Sequence, residues 1–332
     1  MNKDIKKIAI VRLSALGDIV NSAVVLQFIK EKYRNVLIDW VTEEVFAPVL
    51  EGHPLINSVH TVNIKALKRS KSFADLKALI VKLRNIGEYD IVIDMQGLLK
   101  SAIVSRLIGS NNFGFDKNST REGVAALFYK RSAAIAYEEN IVKRNCHIVA
   151  EALQFKIDAA MILNKKAIFP VRESFSFAEG RKNIAFVIGA SWESKIYPKE
   201  LVLKVVNALD VDVFIVWGSS EERARAEWIV EKSTNATLAP RLSLSALISY
   251  ISHMDLLIGN DTGPTHMAWA QNIASITLFG PTNSRMIYET EKNIALESPS
   301  DVDILKINKE DFSIKEIDYT EIVREAKELL GC

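Results

Sequence analysis

The chain has 332 residues, 48% of them hydrophobic, with 42 Lys and Arg against 41 Asp and Glu. That length suggests about two domains of roughly 150 residues; the apolar share excludes wholesale disorder, and a net charge of +1 excludes a dedicated nucleic-acid binder. Cys146 and Cys332 supply neither a disulfide framework nor a zinc quartet, and no run approaches the ~18 apolar residues of a membrane span, so a soluble, cytoplasmic protein is expected.

Residues 7–13 (Lys-Ile-Ala-Ile-Val-Arg-Leu) are β-branched and nearly continuous in apolar character, as strands buried on both faces are. Residues 14–18 form a turn of small side chains. From Asp18 the period becomes helical, with Val20, Val24 and Phe28 on one stripe. Strands are expected at 37–41, 58–62 and 90–94. Helices are expected at 73–85, with Leu76, Leu79, Ile80 and Leu83 on one side, and at 98–107. Periodicity weakens between Lys156 and Gly180, which places a linker here, at 166–181, between a first domain of 1–165 and a second of 182–318. Alternation then resumes: strands at 183–189, 213–218, 256–259 and 276–280, helices at 201–209, 221–232, 244–254 and 266–271. An amphipathic helix at 322–330 lies in a closing segment, 319–332. Strands alternating with helices give an α/β fold of two doubly wound parallel domains with a cleft between them, and ligands are expected at the carboxyl ends of the strands.

No G-x-G-x-x-G follows the first strand, and the P-loop, the nucleophile elbow and His/Cys clusters at metal spacing are all missing. Asp210-Val211-Asp212 and Asp301-Val302-Asp303 have the pattern that holds a divalent ion in some nucleotide-sugar enzymes, but the first reads as a helix-to-strand turn and the second as a polar loop. The densest candidate is Gly259-Asn260-Asp261-Thr262-Gly263-Pro264-Thr265-His266, which leaves an apolar strand and opens a helix. Its amides are donors at a positive dipole end, Thr262 or Asp261 can cap, Pro264 suits the first turn, and Gly263 admits a phosphate oxygen. An ordinary capped helix would not need His266, so an anion site is the better reading.

Lys195, just beyond the 183–189 strand, reads as a neutraliser of a leaving phosphate or as a solvated loop lysine. Glu222 is a helix-start charge or an acceptor for ribose hydroxyls. Asp18 is a helix N-cap or a carboxylate that takes a proton from an attacking hydroxyl, and spacing leaves both readings open. Gln96 and Lys100, in Asp94-Met95-Gln96-Gly97-Leu98-Leu99-Lys100-Ser101, sit at another strand-to-helix crossing. Lys65, Lys68, Arg69 and Lys71 form a local basic run, either a solvated face or a seat for an anionic acceptor or lipid headgroups.

Taken together, Ile8-Ala9-Ile10-Val11-Arg12-Leu13-Ser14-Ala15-Leu16-Gly17-Asp18, Asp94-Met95-Gln96-Gly97-Leu98, Trp217-Gly218, Asn260–His266 and Phe279-Gly280-Pro281-Thr282 resemble the glycosyltransferase family 9 heptosyltransferases. The resemblance runs from residue 7 to about residue 290. Asp39-Trp40-Val41-Thr42-Glu43-Glu44, Thr120-Arg121-Glu122 and Leu127-Phe128-Tyr129 look like the branch that adds the first inner-core heptose to a Kdo sugar on lipid A. The resemblance implies a GT-B architecture of two facing Rossmann-like domains, and ADP-heptose and Kdo-lipid A as substrates. It further implies inversion without a metal or other cofactor, and peripheral contact with the cytoplasmic face of the inner membrane.

By the same resemblance, Asp18 is the general base and Lys195 stabilises the leaving diphosphate. Ser191, Glu222, Asp261, Thr262, Gly263 and His266 hold the nucleotide sugar. Ser14, Gln96, Lys65, Lys68, Arg69 and Arg121 meet the acceptor. In such chains the terminal helix often packs back on the first domain. Ala15 and Ser191-Trp192 depart from the family pattern. Addition of the second heptose, and a GT-B-shaped sugar-nucleotide epimerase, are the alternatives.

Overall fold

The continuous apolar runs fold as parallel strands, because a strand covered by helices on both faces has no side facing water. In the computed structural model, which describes residues 5–178 and 180–331, the first six strands are β1 (Lys7–Val11), β2 (Leu37–Glu43), β3 (Ser58–Val62), β4 (Ile91–Asp94), β5 (Asn112–Phe115) and β6 (Arg131–Ala133). They form one sheet in the order β3-β2-β1-β4-β5-β6. The second sheet holds β7 (Asn183–Val187), β8 (Asp212–Val216), β9 (Ala236–Leu238), β10 (Leu256–Asn260), β11 (Ala274–Phe279) and β12 (Asn293–Glu297), in the order β12-β11-β10-β7-β8-β9.

All pairings within both sheets are parallel. The chain divides into two units, Met1–Lys165 and Lys166–Cys332, so each unit holds one sheet. Numbered within its own unit, each sheet runs 3-2-1-4-5-6, the doubly wound Rossmann order expected from the alternation. The winding reverses between β1 and β4 in one unit and between β7 and β10 in the other. At such switch points the loops leaving the carboxyl ends of the strands part, and ligands lodge there.

Burial follows the sequence pattern. Ala9, Val11, Val41 and Val92 join a core in the first unit, and Ile184, Phe186, Ile215, Ile258 and Ile276 one in the second. Each fully buried Val, Ile or Phe side chain is worth about 1.5–3 kcal/mol relative to exposure. The terminal helix, Tyr319–Leu330, buries Ile322, Ala326 and Leu330 in the core of its own second unit.

Several elements differ from the reading of the sequence. The strand expected at 7–13 stops at Val11, because the Leu13 amide turns to donate to Gln96 Oε1 at 2.9 Å. The helix expected from Asp18 begins at Leu16 and is interrupted after Ser22, resuming at Val25; Val20, Val24 and Phe28 are buried all the same. Asp18 therefore occupies the third helical position, not the N-cap. The basic run is itself helical, Ile64–Ser70, capped by Asn63 Oδ1 on the Ala66 amide at 2.8 Å and closed by Lys71 at φ 49°. Of the stripe expected on the Phe73–Arg84 helix, only Leu83 is buried.

A short helix, Ala159–Leu163, falls inside the weakly periodic stretch. Beyond it the Ile168 amide donates to the Ala270 carbonyl and the Phe169 amide to Gln271 Oε1, both at 2.9 Å, which ties this stretch to the second unit. The two Asp-x-Asp triplets are engaged locally. Asp210 and Asp212 both pair with Arg181, and Asp303 accepts from the Leu305 and Lys306 amides. Cys146 is buried, and Cys332 lies outside the described residues. No helix among the described residues is long and apolar enough to cross a membrane.

On the amino-terminal side of the first sheet, Asp39 is buried and accepts from Asn57 Nδ2 at 2.8 Å and Tyr89 Oη at 2.7 Å. His60 Nε2 lies 3.3 Å and Lys7 Nζ 3.0 Å from Oδ2. Burial pushes this carboxyl up, but His60, Asn57, Tyr89 and Lys7 together outweigh it and hold Asp39 well below the usual carboxylate range. A folded-state pKa below the unfolded one adds stability that is complete above about pH 4 and drains away as the pH falls further. Asp39→Asn should cost about 3 kcal/mol in urea unfolding near neutral pH. It should also flatten the loss of stability between about pH 4 and pH 2.

Candidate active site

In the first unit the switch point gathers the turn after β1 and the turn after β4. Arg12, the residue directly after β1, is buried; it donates to the Met95 carbonyl and pairs with Asp18 Oδ1 at 2.7 Å. The Ala15 amide donates to Asp18 Oδ2 at 3.1 Å, the back-bond of a carboxylate at a third helical position. The Asp18 side chain remains 23% exposed. Each carboxylate oxygen carries two lone pairs, so acceptor capacity is left for an incoming hydroxyl.

Gln96 is locked by the Leu13 amide, and Ser14 Oγ accepts from Gln96 Nε2 at 3.3 Å and from Lys100 Nζ at 2.9 Å. Partial burial pulls the Lys100 pKa down from its ordinary value against the opposing pull of Glu43, and the positive charges of Lys68 and Arg12 add to the lowering. The β4 turn is held from below. Asp94 Oδ1 accepts the Gln96 and Gly97 amides at 2.8 and 3.3 Å, and Tyr129 Oη donates to Oδ2 at 2.7 Å. Gly97 has φ +70°, and a Cβ there would come within 2.9 Å of Phe115.

In the second unit the switch point joins the loop after β7 to the Asn260–His266 box after β10. Lys195 is not a solvated loop residue. It lies in the 3-10 turn Glu193–Lys195, is buried, donates to Asp261 Oδ2 and stands 5.3 Å from the centroid of Trp192. Asp261, which the sequence offered as a helix cap, does not cap. It is buried, with His266 Nε2 3.1 Å from Oδ1 and Thr282 Oγ1 donating to Oδ2 at 2.8 Å. Burial pushes the Asp261 carboxyl up, but Lys195 and His266 overcome this and hold it well below the usual range. An ionised carboxylate only accepts, so His266 carries its proton on Nε2.

Asn260 clamps the loops: Oδ1 accepts the Tyr197 amide at 3.0 Å and Nδ2 donates to the Gly189 carbonyl at 3.3 Å. Thr262 is the N-cap residue of the Gly263–Ala270 helix but makes no side-chain cap bond. Pro264 has no N–H and the Thr265 amide donates to the Thr262 carbonyl at 3.1 Å, so of the first helical residues Gly263 is the one that brings an amide to the switch point.

Glu222, the third residue of the Ser220–Lys232 helix after β8, forms a capping box. Its Oε2 accepts the Gly218 amide at 2.6 Å and the Ser219 amide at 3.3 Å, and its own amide donates to Ser219 Oγ at 3.2 Å. Its carboxylate lies so close to Gly189 that any Cβ there would overlap it. Gly189, two residues beyond β7, is what lets the carboxylate reach the strand end.

Asp18, Ser14 and Gln96 thus meet at one switch point, with Lys68 near enough to act on Lys100 and Glu43. Lys195, Asp261, Thr262, Gly263 and His266 meet at the other. Lys65, Arg69, Arg121 and Ser191 are exposed, and among the described residues none of them joins either cluster. The sequence reading missed Arg12, whose signal was a lone charge inside an apolar run, and Gly189.

Two Rossmann units, each with a polar cluster at its switch point, define a GT-B glycosyltransferase. The chain belongs to glycosyltransferase family 9: the model of that family, "Glycosyltransferase family 9 (heptosyltransferase)", matches residues 77–299. The lipopolysaccharide heptosyltransferase 1 of Campylobacter coli is 38% identical over 98% of this chain and 99% of its own. The protein of the same name from Pseudomonas aeruginosa is 30% identical over 83% of this chain and 79% of its own. Among solved structures, the E. coli heptosyltransferase WaaC with ADP-2-deoxy-2-fluoro heptose superimposes with a TM-score of 0.79, covering 97% of this chain and 99% of that one. Its 23% identity speaks for the fold alone.

Asp261→Asn leaves the buried Lys195 without its counter-charge. Native-state hydrogen exchange at β7 and β10 should then speed up by the equivalent of about 3 kcal/mol. Thr282→Ala removes one hydrogen bond and should cost about 1 kcal/mol by the same readout.

Proposed function

We propose that this glycosyltransferase moves L-glycero-D-manno-heptose from ADP-heptose to a Kdo residue of Kdo-lipid A, with inversion and without a metal, in building the lipopolysaccharide inner core. The observation that carries the reading is a buried lysine held against Asp261 at the switch point of the second unit. That is where a departing diphosphate needs positive charge. The relatives named lipopolysaccharide heptosyltransferase 1, at 38% and 30% identity, support the first-heptose reaction over the second.

In this mechanism the ADP-sugar lies on the second unit. The Lys195 ammonium has three N–H donors, and Asp261 engages one of them. Lys195 and the Gly263 amide, at the positive end of the Gly263–Ala270 helix, stabilise the charge that grows on the diphosphate as the glycosidic bond breaks. His266, fixed by Asp261, borders the sugar. Glu222, held beside Gly189, accepts from the ribose hydroxyls, and Ser191 contributes a further hydroxyl.

The acceptor lies on the first unit. Kdo carries a carboxylate, and Lys100, steadied by Ser14 and Gln96, offers it a cation. Lys65, Lys68, Arg69 and Arg121 meet the remaining anionic groups of the lipid acceptor. Asp18, oriented by Arg12 as a base is oriented by a third group in other nucleophilic systems, takes the proton from the acceptor hydroxyl as its oxygen bonds to the anomeric carbon and ADP departs from the opposite face.

Mass analysis of reactions with ADP-heptose should show one heptose added to Kdo-lipid A and none to an acceptor lacking Kdo; transfer only to an already heptosylated acceptor would overturn the reading. Asp18→Ala should lower kcat by at least about a hundredfold while ADP binding persists. Lys195→Ala should lower kcat more than it raises KM for the donor, since its charge is needed most as ADP leaves.

A further inference from the structure

The two grips on the donor sit on different segments of the second unit. Lys195 closes the 3-10 turn Glu193–Lys195, which lies between β7 and the helix Lys199–Asn207, and Glu222 lies in the first turn of the Ser220–Lys232 helix. On its β10 side the turn is pinned by Lys195 against Asp261 and by the Tyr197 amide on Asn260 Oδ1. On its other side it meets the Ser220–Lys232 helix through an ion pair. Arg225 Nη2 donates to Glu193 Oε1 at 2.8 Å and to Oε2 at 2.9 Å. Among the described residues, no other hydrogen bond joins the turn to that helix.

The placement of this pair gives it a mechanical role. Glu193 starts the turn that Lys195 ends, and Arg225 follows Glu222 at the i+3 position, on the same face of its helix. At the base of the gap between turn and helix, the Glu222 carboxylate reaches Gly189. Farther out, Glu193 and Arg225 border a cavity of about 290 Å³ whose walls include Ile196, Tyr197, Pro198 and Phe312. Apolar packing therefore does not fill the space between the two segments, and the ion pair spans it. Glu193 is exposed and Arg225 half-buried, so the pair adds little to global stability, as ion pairs in contact with water generally do. What it fixes is a distance.

We infer that Arg225 and Glu193 are positioning residues: their ion pair holds the Lys195 turn and the Glu222 helix at the spacing of a ribose and its attached diphosphate. The inference rests on the reading of Lys195 as the grip on the diphosphate and Glu222 as the grip on the ribose. The pair itself does not touch the donor. A nucleoside diphosphate that engages both grips gains from their correct spacing, whereas a ligand that engages one of them does not.

The test titrates the full-length protein with three ligands: ADP, which spans both grips, adenosine, which offers only the ribose, and inorganic pyrophosphate, which offers only the diphosphate. Arg225→Ala and Glu193→Ala should each weaken ADP by about fivefold and move adenosine and pyrophosphate by less than about twofold. The two variants change the local charge in opposite directions, so a loss common to both reports spacing and not charge. The exchanged pair, Glu193→Arg with Arg225→Glu, should recover most of the ADP affinity, and unfolding midpoints should stay at the wild-type value. In the transfer reaction, Arg225→Ala should raise KM for ADP-heptose by about fivefold and change kcat by less than about twofold. Single variants that bind ADP as tightly as wild type would overturn the inference. So would opposite effects of the two alanine variants, which would reduce the pair to a local charge, and so would loss of pyrophosphate binding in Arg225→Ala, which would put Arg225 on the phosphate itself. A lowered midpoint with all three ligands weakened alike would make the pair structural and overturn it as well. Wild-type protein that fails to bind ADP would overturn the reading of the donor site, and the inference with it.

Discussion

A lysine ammonium taken out of bulk water is held best against a carboxylate, and the Lys195–Asp261 pair meets that condition at the place where a parallel sheet reverses its winding. Taking each ion from water costs several kcal/mol, so the pair stands only with further bonds around it. Thr282 and His266 supply them to Asp261, while Asn260 pins the two loops that bring lysine and aspartate together. The rest of the second unit can be read as the support for this arrangement. β7 and β10 set the spacing, the buried aliphatic core keeps water out, and the Gly263–Ala270 helix starts at the same spot.

The first unit repeats the topology with an ion pair of its own, one member of which reaches solvent. There the buried partner is the cation, Arg12, and the partner that reaches solvent is the carboxylate, Asp18. In the proposed reaction one unit offers a positive group to the leaving anion and the other a negative group to the departing proton of the acceptor. The difference follows from the residues just beyond the first strand of each sheet. Arg12, directly after β1, needs an acid from the helix that follows, whereas Gly189, two residues after β7, has no side chain and leaves room for Glu222.

The remaining acids divide by position. Asp39, at the opposite end of its strand from Asp18, is surrounded by four donors and serves the fold; Asp94, directly beneath the β4 turn, serves the shape of the site through the Gln96 and Gly97 amides. The stretch beginning at Asp39 that resembles the first-heptose branch therefore combines a structural acid at one end with Glu43, close to Lys100 and Lys68, at the other. Similarity in sequence does not separate the two roles. Placement along the strand does.

The sequence by itself determined the α/β class, most of the long strands and the positions of the turns that carry chemistry, because strands covered on both faces leave unbroken apolar runs and glycine-rich turns interrupt them. It also marked Asp18, Lys195 and the Asn260–His266 box as polar groups at strand ends. Short strands such as β5, β6 and β9 were not legible, since three or four residues cannot establish a period. Tertiary structure alone decided who partners whom. That Lys195 is buried against Asp261 and not solvated, that Asp261 faces inward and does not cap its helix, and that Arg12 holds Asp18 are facts about residues dozens of positions apart or on different sides of a turn. Local pattern cannot carry them, because an ion pair forms wherever the chain's path brings two charges within a few ångströms.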